Sequence, residues 1–176
     1  MATGYVILFP GGFATDSSGS GNNAGTPQFT VSGGTQTTNT PKAAFLSIAL
    51  DPTTDEHWLF QFPIPSNWAS GGTLRGKLRC GATSGNVIMK AGAVPILDSS
   101  TDIDVAVFNA ADVSSAIAAP GTAGQPIEFT IALTTTGFTA NALVLAFCGR
   151  DADNGSDTMN SNDAEILSLV FEYTTT

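Results

Sequence analysis

Positive charge is scarce in this sequence: Lys and Arg number 6 against 15 Asp and Glu, a formal net charge of −9. So few cations cannot neutralise a run of phosphates, which argues against nucleic acid as a partner. The same shortage argues against an anionic membrane surface, which attracts polybasic segments. Histidine occurs once, at His57 beside Trp58. A serine triad therefore has a single possible centre, and no G-x-S-x-G elbow or other nucleophile signature accompanies it. Cysteine occurs twice, at Cys80 and Cys148, each inside an apolar run. Neither has a histidine nearby in sequence, so a zinc-type ligand set is missing. The two read as small buried hydrophobes or as a disulfide, for which sequence supplies no distance. Long apolar runs are missing as well. Tyr5–Phe9 is too short for a signal h-region or a membrane span and no basic residue precedes it, so the expectation is a chain made and used without export. Glu128 and Glu165, a pair that could serve glycoside hydrolysis, fall in different runs and read as solvent-facing strand carboxylates. The chain is expected to be no enzyme and to need no cofactor.

What the sequence has is apolar residues at 42%, charged residues at only 12%, and 19 glycines. The surface is left to Thr, Ser, Asn and Gly, residues that suit pleated strands and their turns. A chain of 176 residues fits one domain with a core large enough to need no staples. Residues 1–42 read as a short strand followed by an extended arm. Within that arm, Gly11 to Pro41 is rich in Gly, Ser, Asn and Thr, with Phe13, Phe29 and Val31 as isolated apolar points. It is either a mobile arm or a segment ordered by lying on a neighbour, and the spaced anchors favour the second.

From residue 43 to 176, apolar runs recur at intervals of roughly 10 to 20 residues between Gly, Pro, Asn and Asp, the spacing of a sandwich. The runs are Ala43–Leu50, His57–Phe62, Thr73–Cys80, Asn86–Val94, Ile103–Asn109, Pro126–Leu133, Ala142–Cys148 and Ala164–Tyr173. They predict an all-β, antiparallel β-sandwich of jelly-roll type with about eight strands. Alternation is clearest in Thr73–Cys80, where Leu74, Leu78 and Cys80 face one way and Arg75, Lys77 and Arg79 the other. Ala142–Cys148 is apolar on both faces, as for a strand covered on both sides by a sheet, a loop or a neighbouring subunit. Only Ala110–Ala119 reads as helical, with Val113 and Ile117 at i, i+4 and Pro120 ending it.

Two segments carry candidate function. Around Arg150, Asp151, Asp153, Asn154, Gly155 and Asp157 cluster the oxygens a hard cation needs. The EF-hand register fails, because counting from Asp151 the glycine falls fifth and the twelfth residue is Asn162. Asp151, Asp153 and Asp157 are weak calcium candidates. The competing reading is a polar connection in which Arg150 pairs with one of these carboxylates. The second segment, Trp58 to Trp68, holds both tryptophans. Trp58 alternates inward with Phe60 and Phe62, whereas Trp68 lies at a Pro- and Gly-bounded corner where it either plugs the sandwich end or projects as an interface or sugar-stacking residue.

Trp58 to Leu74 (W-x-F-x-F-P-x-P-x-x-W-x-x-G-G-x-L) and Arg150 to Tyr173 (R-D-x-D-N-G-x-D-T, then A-E-I-L-S-L-V-F-E-Y) resemble virion-associated jelly-roll proteins of tailed bacterial viruses. The resemblance covers roughly residues 43 to 176. It implies a small, often trimeric structural protein that decorates or cements a capsid or contributes to a head fibre, with no catalytic residues. The implied partners are sister subunits and the major capsid protein or another virion protein, and the implied location is the capsid surface after synthesis in the host cytoplasm. The rival expectation is a carbohydrate-binding module or the receptor-binding head of a fibre.

Overall fold

The computed structural model describes residues 1–8, 12–13, 28–34 and 41–176. Most of the predicted arm, Gly11 to Pro41, lies outside these residues. The strands are β1 (Thr3–Ile7), β2 (Gly12–Phe13), β3 (Gln28–Val31), β4 (Ala44–Leu50), β5 (His57–Pro63), β6 (Trp68–Cys80), β7 (Asn86–Val87) and β8 (Met89–Ile96). After a 3₁₀ turn at Ile103–Val105 follow β9 (Asp112–Val113), β10 (Ile117–Ala118), β11 (Ile127–Ala132), β12 (Leu143–Arg150) and β13 (Ala164–Thr175).

Among the described residues two main antiparallel sheets result, with β7 and β10 forming a separate two-stranded pair. The first runs β11-β6-β13-β4-β3, with β1 also on β13; the second runs β2-β5-β12-β8-β9. Along the chain β4 lies in the first sheet, β5 in the second, β6 in the first, β8 and β9 in the second, β11 in the first, β12 in the second and β13 in the first. This shuttling, with the last strand beside the first and β12 beside β5, is jelly-roll topology. The predicted architecture is therefore the observed one.

Alternation decides what fills the space between the sheets. Trp58, Phe60 and Phe62 of β5, Leu74 and Leu78 of β6, Phe129 and Ile131 of β11, Val144 and Ala146 of β12, and Leu169 and Phe171 of β13 form one buried cluster. Phe62 and Phe171 meet across the sheets with ring centroids 4.9 Å apart. Gly76, opposite Phe129, is required by close approach, since a Cβ there would lie 2.3 Å from that ring.

Leu8, just after β1, joins the same core, and its N–H donates to Leu169 O at 3.0 Å. β13 thus carries two strands on one edge: β4 beside Ala164–Ile166 and β1 beside Val170–Thr174. Where β4 leaves β13 and β1 replaces it, an apolar slot of about 350 Å³ opens between Leu46, Ile48, Ile7, Leu8 and Leu169, with Trp58 in its wall.

Two local expectations are corrected. Ile103–Asn109 is no strand: Asp102 accepts from the N–H of Asp104 and caps a 3₁₀ turn inside a long loop. Ala110–Ala119 is not helical but supplies β9 and β10. The Asp112 carboxylate holds the Thr134 N–H and hydroxyl, Ser114 N donates to Met89 O, and Ala119 N donates to Gly85 O, so neighbouring strands take the backbone bonds a helix would have used. The i, i+4 pair is separated accordingly. Val113 is exposed, while Ile117 packs on the core.

Candidate interaction surface and the Asp-rich corner

The two outer faces of the sandwich differ in chemistry. On the first sheet, Arg75 pairs with Glu128 and Glu172, Lys77 with Glu128, and Arg79 with Glu165. Glu128 is held below the ordinary carboxylate range by the hydrogen bonds from Lys77 and Arg75. Glu128 and Glu165 are therefore each neutralised by neighbouring cations on this face.

The outward positions of the second sheet hold Leu59 on β5, Leu143, Leu145 and Phe147 on β12, and Val94 and Ile96 on β8, all half-buried, together with the exposed Gln61 and, at one end, Lys90. The apolar character of both faces of β12, visible in the sequence, thus has a partial explanation: loop 97–111 returns across β8. Its Phe108 ring meets Phe147 edge-on with centroids 5.1 Å apart, and Asn109 N donates to Ala93 O. Gly92 makes room, since a Cβ there would lie 2.5 Å from the Phe147 ring. On its other side Phe147 meets His57, also edge-on at 5.1 Å. Burial and the nearby Lys90 charge hold His57 below its ordinary pKa despite Asp55 and Asp151. Val113 and, in the loop, Ile103, Val105, Val107 and Phe108 are exposed.

The Asp-rich segment resolves into two different things. Arg150 ends β12 facing inward and is completely buried. Its Nε and one terminal nitrogen donate to the two oxygens of Asp157 at 2.9 and 2.8 Å, and its remaining capacity goes to the carbonyls of Asn162 and Met159. Asp157 also accepts the Ile88 N–H at 3.0 Å. Both carboxylate oxygens are thus committed, and Asp157 is the internal partner of Arg150.

Asp151 and Asp153 lie with Asp55, each offering one oxygen within 4.8 Å of the others. The position is already occupied by a cation of the chain, because Lys90 pairs with both Asp55 and Asp151. Burial opposes the charges, yet the Lys90 hydrogen bond keeps Asp55 below its ordinary pKa, and the two carboxylates keep Lys90 above its own. Sequence reasoning missed Asp55 and Lys90. The one usable signal was a lysine in an otherwise apolar strand.

Among the apolar anchors, Phe29 and Val31 sit on edge strand β3 at 72% and 55% exposure, Phe29 opposite the exposed Leu46. Phe13 is in β2 opposite Trp58, and its side chain lies outside the described residues. Trp68 plugs the corner: it is half-buried, its indole N–H donates to Gly71 O at 2.8 Å, and its ring lies 6.3 Å from Phe138. Cys80 and Cys148 are buried and unbonded, and burial pushes the Cys148 thiol up to about 12.

No protein-family model matches this sequence, and no curated protein is detectably similar to it. Among solved structures the chain is similar to the CBM35 of Cellvibrio japonicus Abf62, at 10% identity over 98% of this chain and 99% of that one, with a TM-score of 0.49. It is similar to a point mutant of a family 29 carbohydrate binding module at 12% identity, covering 97% and 92% of the chains, with a TM-score of 0.35. A third similarity is to the enzymatically active domain of tailspike protein 4 of bacteriophage CBA120. There the identity is 8%, 95% of this chain and 19% of that chain are covered, and the TM-score is 0.34.

Proposed function

We propose that this chain is a non-enzymatic structural protein of a virus particle, which assembles through protein–protein contacts on the outer face of the β5-β12-β8 sheet. The observation that carries this reading is the contrast between the faces. The strand cations of the first sheet are spread across it in ion pairs, whereas the second sheet keeps its outward cation, Lys90, paired at one end and presents Leu59, Leu143 and Leu145 beside Gln61, Pro63, Val94, Ile96 and Phe147. A neutral apolar face loses little hydration when covered, so two copies can approach there despite the net charge of −9. The resemblance of residues 58–74 and 150–173 to virion-associated jelly rolls supports the capsid surface as the place and sister subunits plus a shell protein as the partners. Trimeric assembly belongs to the same proposal. Sedimentation velocity of the wild type and of Leu145→Glu tests it: an oligomer reduced to monomer by the substitution, with the β spectrum intact, is the expected result. A monomeric wild type would overturn self-association.

A second reading, glycan binding, is favoured by one observation. Between β11 and the segment 114–118 lies an open hollow of about 330 Å³ bordered by Ser114, Ser115, Glu128 and Thr130, room and hydroxyls for a sugar ring. Binding on a glycan array that is lost with Thr130→Val, and is unaffected by Leu145→Glu, would establish this reading over the first.

A further inference from the structure

We infer that loop 97–111 is the docking tip for a protein partner with a basic, apolar-faced surface. The inference rests on the assembly reading and names the chemistry of a second partner, at the loop that borders the proposed sister-subunit face.

The tip combines two features that cost free energy in isolation. Ile103, Val105 and Val107 stand at 50%, 71% and 80% exposure, although the loop is anchored at both ends, by Thr101 N on Leu97 O and by Asn109 N on Ala93 O. Among these apolar residues sit Asp98, Asp102 and Asp104, all exposed. None of them has a cationic partner among the described residues. Of the 6 Lys and Arg in the whole sequence, Arg75, Lys77, Arg79, Lys90 and Arg150 are held by Glu128, Glu172, Glu165, Asp55, Asp151 and Asp157. The sixth, Lys42, lies just ahead of β4 and forms no ion pair with them.

Charge selects the occupant. A second copy docking tip to tip would bring uncompensated carboxylates together as the surface dries, which is repulsive. A neutral sugar would find mainly aliphatic side chains, because the loop's one aromatic ring, Phe108, is packed edge-on against Phe147 and is only 37% exposed, whereas stacking needs an open aromatic face. A surface bearing Lys or Arg around apolar side chains satisfies both features at once, covering the valines and neutralising the aspartates.

Fluorescence anisotropy with the full chain at physiological ionic strength tests this with three labelled peptides of equal length: alternating Lys/Leu, Glu/Leu and Lys/Ser. The Lys/Leu peptide is expected to bind at least about tenfold more tightly than either control. Asp98→Asn/Asp102→Asn/Asp104→Asn and Val105→Ser/Val107→Ser should each weaken it by about tenfold or more, while Glu128→Gln on the opposite face leaves it unchanged. Thermal melts confirm that each variant is folded. Absent Lys/Leu binding by the wild type, undiminished binding by either loop variant, or dissociation of a wild-type oligomer by Val105→Ser/Val107→Ser would overturn the inference. Co-sedimentation with virus particles separates the two levels. Particle binding that survives both loop variants removes the docking tip and leaves the assembly reading standing, whereas a wild type that never co-sediments removes the assembly reading itself.

Discussion

At the scale of single residues, the most consequential side chain is Arg150. A guanidinium with no exposure is tolerable only because Asp157 and two carbonyls meet its donors, and removing it leaves the Asp157 carboxylate buried against the Ile88 N–H alone. Arg150→Met is expected to cost roughly 3–5 kcal/mol in denaturant unfolding. Adding Asp157→Asn should recover part of that loss, because it removes the unpaired charge and keeps an acceptor for Ile88. If Arg150→Met alone leaves the midpoint unchanged, the ion pair does not hold the loop. A second residue-level expectation concerns acid. Burial, with Asp51 and Asp163 nearby, raises the Glu56 pKa, and burial, with Asp51 and Glu165, raises that of Asp163. A carboxyl raised in the folded state contributes stability that is complete below the unfolded pKa and is lost as pH rises through the folded one. Gln mimics the protonated form and can still accept the Asp51 N–H that Glu56 Oε2 now accepts at 2.8 Å. Glu56→Gln should therefore melt higher than wild type at neutral pH, and the difference should close below about pH 4. A difference that grows on acidification would contradict the sign.

At the scale of elements, Gly92 seats loop 97–111. Its missing side chain lets Phe147 lie flat enough on β8 to receive Phe108, and the loop's position follows from that contact. Gly92→Ala is expected to lower stability by roughly 1–3 kcal/mol through overpacking and to speed limited proteolysis between residues 97 and 111. Equal cleavage rates in the two proteins would dissociate the loop from Phe147. Elements were legible where one face was core. Thr73–Cys80 and Pro126–Leu133 appear as β6 and β11, the first with the predicted inward set Leu74, Leu78 and Cys80, because alternation records burial directly. They failed where a segment lies on the surface. Ile103–Asn109 is apolar enough to resemble a strand, yet its Ile and Val are exposed, and apolarity without burial carries no period. Ala110–Ala119 misled for a related reason, since two residues four apart satisfy a helix and two separate short strands equally well. The corner was half legible. Its acidic oxygens are local in sequence, but Asp55 and Lys90 arrive from other loops and strands, and only folding brings them to Asp151.

At the scale of the whole molecule, jelly-roll closure gives the chain two unlike outer faces, one laced with ion pairs and one largely apolar, its ion pairs confined to the Lys90 end, with an acidic tip. The sequence anticipated the closure and the sparse charge. It could not say which face is bare, because that depends on which strands become neighbours: Arg75, Lys77 and Arg79 meet Glu128, Glu165 and Glu172 only through the pairing of β6 with β11 and β13. The central claim is that the bare side binds protein in a virus particle. Quantitative mass spectrometry of purified particles assembled with either the wild-type chain or its Leu145→Glu variant tests it most directly. The account predicts the wild-type chain in fixed, stoichiometric ratio to the major capsid protein and the folded variant strongly depleted. Particles that lack the wild-type chain, or that carry both forms in equal amount, would contradict it.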